Sequence, residues 1–246
     1  EIGVRLVGSE MCIRDRCYHS ALRSVQIKQN MKAATQYSAS EELSHAISHG
    51  LGILASLLGL YLMLELSSAA DAWRQLSSWV FGLSLVLLYG SSTLYHSVQN
   101  LKHKLWLRKL DHSAIFILIA GTYTPFTLVS LRDNWGWWLF ALVWSIAFAG
   151  VLLKLFTGAK YQKLSIALYL IMGWIVVVAI NPMLTHVPAA GMWWLLAGGL
   201  FYSGGVLFYV QKTLFMHHLI WHLFVLAGST CHFLAVYWYV LPQRQV

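Results

Sequence analysis

Charged side chains are scarce in this sequence. Asp, Glu, Lys and Arg make up only 11% of the residues, whereas a soluble domain carries about 25%. Hydrophobic residues make up 58% of the chain. This composition excludes an ordinary soluble domain and indicates a chain that is embedded in lipid.

Cysteine is also rare. Cys12, Cys17 and Cys231 form neither a CxxC pair nor a paired framework, which excludes a disulfide scaffold and a thiolate zinc site. Any bound metal must therefore take nitrogen and oxygen ligands. The net charge of +8 comes from Lys and Arg residues in short clusters between apolar runs. Because no basic face is formed, no nucleic-acid partner is expected.

The first residues differ from the rest of the chain. Leu6 to Arg16 reads LVGSEMCIRDR, which resembles the in-frame translation of a transposase adaptor used in sequencing libraries. Glu1–Arg16 is therefore excluded from the functional argument. We expect residues 1–36 to form a leader that is partly artefactual and disordered, and residues 37–246 to form a transmembrane domain.

Seven apolar stretches are separated by short polar breaks, and each is near the ~20 residues that a helix needs to cross a bilayer core. Strands of a membrane barrel need about half that length with strict alternation of polar and apolar residues. The sequence therefore predicts an all-α, polytopic bundle of seven transmembrane helices. The predicted spans are residues 44–66, 77–98, 111–131, 135–156, 164–183, 191–210 and 217–240.

Lys and Arg are concentrated in alternate connections between these spans. The connections after spans two, four and six carry Lys102, Lys104, Arg108, Lys109, Lys160, Lys163 and Lys212. Each of the other connections carries at most one basic residue. Because basic loops tend to stay in the cytoplasm, we predict a cytoplasmic N-terminus and a C-terminus outside.

Span seven opens with two histidines four residues apart, His218 and His222, which share one helix face and can hold one metal ion. At the end of span two, His96 follows Ser92 by four residues, and Asp111 begins span three on the same side of the membrane. Ionisable groups in apolar spans are costly and usually face a cavity, a partner or a metal. The sequence therefore predicts a metal held by His96, His218 and His222 near the cytoplasmic face.

Three imidazoles leave one tetrahedral position of zinc open for water, which is the arrangement of catalytic zinc sites. Bound Zn²⁺ lowers the pKa of water to about 7. Asp111 would hold or deprotonate this water, and Ser92 would bond to Asp111 or to a substrate carbonyl. Zn²⁺ is the predicted cofactor, with iron and manganese as alternatives.

The same side chains also have structural interpretations. Asp111 could favour the start of a helix after two basic residues, and Ser92 could bond to the preceding turn of its own helix. His45 and His49 form a second pair at i, i+4 spacing near the start of span one. We interpret this pair as packing and capping residues, with an accessory shell of the metal site as the alternative.

Four segments resemble the bacterial haemolysin III proteins, the prokaryotic branch of the progestin and adipoQ receptor family. They read EELSHAISHG, SSTLYHS, LRKLDHSAIFILIAGTYTPF and HHLIWHLFVLAGSTCHF, and the resemblance extends from residue 37 to residue 241. The related superfamily, which includes alkaline ceramidases, has a Ser with a His four residues later in span two, an Asp in span three and HxxxH in span seven. These positions fall on Ser92, His96, Asp111, His218 and His222. The resemblance implies zinc held by the three histidines, with Asp111 at the water.

The family name implies cytolytic activity, whereas the superfamily implies hydrolysis of lipid amides and a role in membrane homeostasis. We predict a zinc-dependent hydrolase of lipid amide or ester bonds, located in a bacterial plasma membrane with membrane lipids as its partners. The alternatives are a membrane sensor or receptor with structural zinc, a cytolytic protein, and an ion conductor that uses His and Asp groups as a relay. The sequence predicts neither the particular substrate nor the oligomeric state.

Overall fold

A computed structural model describes residues 37–68 and 71–242. Seven helices in this part of the chain are long and apolar enough to cross a membrane, which confirms the predicted all-α fold with seven spans. In chain order they are α1 (Ala39–Ser67), α2 (Ala72–Ser97), α3 (Leu101–Ser130), α4 (Trp137–Thr157), α5 (Gln162–His186), α6 (Ala189–Val210) and α7 (His217–Val240). The predicted leader at residues 1–36, with its adaptor-like segment, lies outside the described residues.

Helix α3 begins earlier than the sequence predicted. The side chain of Asn100 accepts hydrogen bonds from the backbone N–H groups of Lys102 and His103, and this cap starts the helix at Leu101. The predicted span began only at Asp111, because the charged residues before it lower the local hydropathy. Asp111 therefore lies inside α3, and the interpretation of this residue as a helix cap is wrong.

The bundle has an apolar exterior and a partly polar interior. Large apolar side chains that are exposed in the structure include Leu43, Ile47, Leu51 and Leu54 of α1, Phe148 and Phe156 of α4, and Leu207 of α6. Buried polar side chains include Glu42, His45, Ser92, His96 and Lys104. This distribution is typical of a protein whose surrounding solvent is lipid, because ionisable groups in membrane helices face the interior of the bundle.

Helices α3 and α5 contain segments that are not α-helical, as does the end of α7, which forms π turns over Val236–Val240. Helix α3 is α-helical up to Pro125 and then forms π turns over Phe126–Ser130. Pro125 lacks the N–H group that would bond to the preceding turn, which accounts for an irregular helix at this position. Helix α5 contains a 3₁₀ segment, Ile175–Ala179.

The hydroxyl of Tyr123, on α3, forms hydrogen bonds with the backbone of α5. It donates a hydrogen bond to the backbone carbonyl of Met172 at 2.9 Å and accepts one from the backbone N–H of Val176, also at 2.9 Å. Backbone groups in a bilayer need partners inside the protein. Tyr123 supplies them where the 3₁₀ segment interrupts the α-helical ladder.

The polar residues predicted to form the site come together at one end of the bundle. This end contains the first turns of α1, the last turns of α2, the first half of α3 and the first turns of α7, because consecutive spans alternate in direction. Which side of a membrane this end faces stays a prediction.

Candidate metal centre

Four buried histidines from three helices form a cluster at this end of the bundle. They are His45 of α1, His96 of α2, and His218 and His222 of α7. The six distances between the centroids of their rings all lie between 4.7 and 5.3 Å. Nearly equal separations among four rings place them at the corners of a tetrahedron.

The size of this tetrahedron fits a single metal ion. With zinc–nitrogen bonds of about 2.0–2.1 Å, ring centroids lie about 3.2 Å from the ion and about 5.2 Å from one another. In addition, ligand nitrogens of His45, His96 and His218 all lie within 4.8 Å of one another. These three buried histidines could hold a metal ion, and their nitrogen donors suit zinc and other first-row transition metals.

The structure thus brings the rings of all three predicted ligands, His96, His218 and His222, next to His45, but the ligand nitrogens of His222 are not in the group that converges within 4.8 Å. From the sequence, His45 was interpreted as a packing or capping residue, with an accessory shell of the metal site as the alternative. Because α1 begins at Ala39, His45 lies in the second turn of the helix, and its side chain has no exposed surface. Its i, i+4 spacing with His49 was the signal that could have placed it in the cluster. Which of the four histidines bind the ion stays a prediction.

Hydrogen bonds fix the orientation of the His222 ring. The hydroxyl of Ser48 donates to the backbone carbonyl of His45 at 2.9 Å. The Ser48 oxygen lies 3.0 Å from His222 Nδ1 and can accept from this nitrogen when it carries the proton. With the proton on Nδ1, the lone pair of His222 is on Nε2, the nitrogen that can bind an ion.

Glu42 makes a corresponding contact with His96. Its Oε2 atom lies 2.7 Å from His96 Nδ1, and its Oε1 atom lies 2.9 Å from the ammonium nitrogen of Lys104. Metal-binding histidines usually donate their second ring N–H to a carboxylate or a carbonyl group. Neither Glu42 nor Ser48 was predicted as a partner of the site histidines. Glu42 lies three residues before His45 on the same helix face, but the sequence does not show that this face meets His96.

The two other predicted site residues, Ser92 and Asp111, lie side by side next to the histidine cluster. Ser92 is buried on α2, and its hydroxyl is within hydrogen-bonding reach of the Asp111 carboxyl group on α3. The side chain of Asp111 is 13% exposed and approaches His112 Nδ1 to 3.5 Å. The carboxylate of Asp111 is not part of the group of ligand atoms that converge within 4.8 Å.

A cavity of about 480 Å³ extends from this end of the bundle towards the opposite end, where α5 ends and α6 begins. Ser92, Asp111, His218 and His222 line it at the end near the histidine cluster. Farther away its walls are mostly apolar and include Leu118, Ile119, Val177, Met183, Leu184 and Met192. Its volume lies within the range of about 300–1,000 Å³ that is usual for small-molecule sites.

A sequence profile of the family described as Haemolysin-III related matches residues 37–233. The chain belongs to this family. Its match includes all the helix segments that form the histidine cluster, so the candidate metal centre lies within the part of the chain shared with the haemolysin III family.

Individual relatives agree with this assignment. The Hemolysin-3 homolog of Bacillus subtilis (strain 168) is 43% identical over 82% of this chain and 96% of its own length. Hemolysin-3 of Bacillus cereus is 43% identical over 87% of this chain and 98% of its own length. The human monocyte to macrophage differentiation factor is more distant, at 28% identity over 81% of this chain and 84% of its own length.

Proposed function

We propose that this member of the haemolysin III family is a metal-dependent hydrolase that cleaves amide or ester bonds of membrane lipids and thereby contributes to membrane homeostasis. The observation that carries the proposal is the cavity, which has His218, His222 and Asp111 at one end and apolar walls beyond them. A lipid acyl chain would occupy the apolar part. Its carbonyl group would then lie beside the imidazoles and the carboxylate.

His96, His218 and His222 are the proposed ligands of a zinc ion. When bound, the ion would act as a Lewis acid towards the lipid carbonyl and would make water more acidic. His218 and His222 line the cavity, whereas His45 and His96 do not. The two histidines of α7 would therefore hold the ion on the side of the cluster that a substrate in the cavity can reach.

Asp111 is the proposed general base. It lines the cavity next to the histidines, where its carboxylate can accept a proton from a water molecule that attacks the lipid carbonyl. The hydroxyl of Ser92, which lies beside Asp111, would orient the carboxylate. The proposed substrates are the lipids of a bacterial plasma membrane, and the positive-inside pattern predicts that the site lies at its cytoplasmic face.

A non-enzymatic sensor with a structural metal is the second candidate, and the position of His45 favours it. If all four imidazoles bound the ion, its tetrahedral shell would be closed, as it is in structural zinc sites. A closed shell leaves no position for water or for a lipid carbonyl. The choice between the two functions therefore depends on whether His45 is a ligand.

The test compares purified wild-type protein with Asp111→Asn and Asp133→Asn variants, with ceramide and phosphatidylcholine as substrates in mixed micelles. We expect bound zinc and release of fatty acid from the wild type. Asp111→Asn should lower turnover by roughly 10²–10⁴-fold, which is the usual contribution of a general base, without changing the zinc content. Asp133, whose side chain is 91% exposed, is the matched control and should behave like the wild type. If the zinc-loaded wild type releases no fatty acid, the proposed hydrolase activity is contradicted, and the sensor with a structural metal becomes the favoured function.

A further inference from the structure

Glu42 is the centre of a buried ion-pair network that links three helices. Its two carboxylate oxygens contact different partners, His96 of α2 at 2.7 Å and Lys104 of α3 at 2.9 Å. None of these three side chains is more than 7% exposed. Burial of charged groups at this depth is costly, so a fully paired network of this kind calls for an explanation.

We propose that Glu42 and Lys104 are positioning residues, which hold the His96 ring in the one tautomer that presents Nε2 to a metal ion. This inference rests on the proposed metal site and adds to it two residues that do not themselves touch the ion. It does not depend on whether the bound metal serves catalysis or structure.

The ammonium group of Lys104 is held by several acceptors. Besides Glu42 Oε1, it donates to the backbone carbonyl of Tyr95 at 3.1 Å and to that of Val98 at 3.4 Å. These carbonyls belong to the end of α2, where the helix dipole favours a cation. The ammonium is thereby fixed beside the carboxylate and stabilises its negative charge.

An ionised carboxylate can only accept hydrogen bonds. The contact between Glu42 Oε2 and His96 Nδ1 therefore requires the proton of the neutral imidazole to be on Nδ1. The lone pair is then on Nε2, the other ring nitrogen. The His96 ring lies 4.8 Å from the ring of His45 and 5.2 Å from each of the two rings of α7, so a metal ion bound by Nε2 could be shared with them.

Glu42→Gln is the informative substitution, because it keeps the size of the side chain and removes its charge. An amide can accept through its oxygen or donate through its nitrogen. If the amide nitrogen donates to Nδ1, the imidazole proton moves to Nε2 and blocks the metal-binding atom. The amide therefore no longer enforces the required tautomer.

The measurement is the zinc affinity of the full chain in detergent micelles, by competition with a chelator, together with the melting temperature of the metal-free protein. We expect Glu42→Gln to bind zinc about 10–100-fold more weakly, the usual effect of losing a partner of a metal-binding histidine. Glu65→Gln, at the exposed far end of α1, is the matched control and should bind like the wild type. Lys104→Met should also weaken zinc binding, and Lys104→Arg, which keeps the cation, should restore most of it.

Several outcomes would overturn the inference. Unchanged zinc affinity in Glu42→Gln would overturn it. The same holds if zinc affinity is unchanged and only the melting temperature of the metal-free protein falls, because that is the result expected if Glu42 only stabilises the packing of the helices. If Glu42→Gln does not fold, unchanged zinc affinity in Lys104→Met would have the same meaning. A wild type that binds no zinc would overturn both the inference and the proposed function. A wild type that binds zinc without lipid turnover would overturn the hydrolase only, and the effect of Glu42→Gln on affinity would still support the positioning role.

Discussion

The contact between α6 and α7 allows a quantitative test of the packing. Gly198 of α6 faces His232 of α7, and a Cβ atom added at Gly198 would lie 2.2 Å from Cδ2 and 2.3 Å from Nε2 of the His232 ring. Carbon atoms in ordinary contact are about 3.5–4.0 Å apart. The Gly198→Ala variant therefore requires a displacement of more than about 1 Å. The ring cannot yield freely, because it is buried and its Nε2 is 3.2 Å from the carbonyl oxygen of Leu195.

Overpacking of this kind costs about 1–3 kcal/mol. A change of 1 kcal/mol shifts the melting temperature of a chain of this size by about 2–4 °C, so Gly198→Ala should melt roughly 2–12 °C below the wild type. Thermal unfolding in detergent micelles, followed by circular dichroism, measures this shift.

The neighbouring glycine supplies the control. A Cβ atom at Gly199 would lie 3.7 Å from the nearest ring atom of Trp174, which is an ordinary contact. Gly199→Ala should therefore be neutral or should stabilise the protein, since alanine favours a helix over glycine by about 1 kcal/mol. Equal melting temperatures for the Gly198→Ala and Gly199→Ala variants would refute the packing of α6 against α7 described above.

Two further predictions concern the metal ligands and the irregular helices. His222→Ala should weaken zinc binding by more than about 100-fold, beyond the loss expected for an outer partner, whereas His45→Ala should stay within about tenfold of the wild type in a chelator competition. A comparable large loss in both variants would favour the sensor with a closed shell, and the reverse order would contradict the proposed ligand set. Tyr123→Phe removes both hydrogen bonds to the backbone of α5 and should cost about 1–3 kcal/mol in thermal unfolding. Tyr61→Phe, at an exposed position of α1, is its control, and equal melting of the two variants would contradict the role given to Tyr123.

The number of spans could be predicted from the sequence, but the ends of the helices could not. A bilayer requires about 20 apolar residues per helix, so the seven spans follow directly from hydropathy. The start of α3 does not, because LKHKLWLRKL has too many charges to be recognised as part of a span. These residues are nevertheless good helix formers behind the Asn100 cap, and they extend the helix ahead of Asp111.

The candidate site was predictable to the extent that it depends on helical periodicity. The spacing of His218 with His222, and of Ser92 with His96, identified two of its helices. The contribution of α1 depends on how this helix is rotated towards its neighbours, which a single sequence does not define. Glu42, His45 and His49 are spaced by three and four residues and so share one face, but only the packed bundle shows that this face meets α2 and α7.

The histidine cluster has different surroundings on its two sides. On the side of α1, His45 has no exposed surface and does not line the cavity, although His49, whose ring stacks on that of His222, does. On the side of α7, His218 and His222 line the cavity together with Asp111. A molecule that binds to a metal ion in the cluster would therefore approach through the cavity, passing the carboxylate of Asp111 and the apolar side chains of the walls. Apolar walls suit the acyl chain of a lipid better than a hydrated ion, which is why we propose a lipid hydrolase and not an ion conductor.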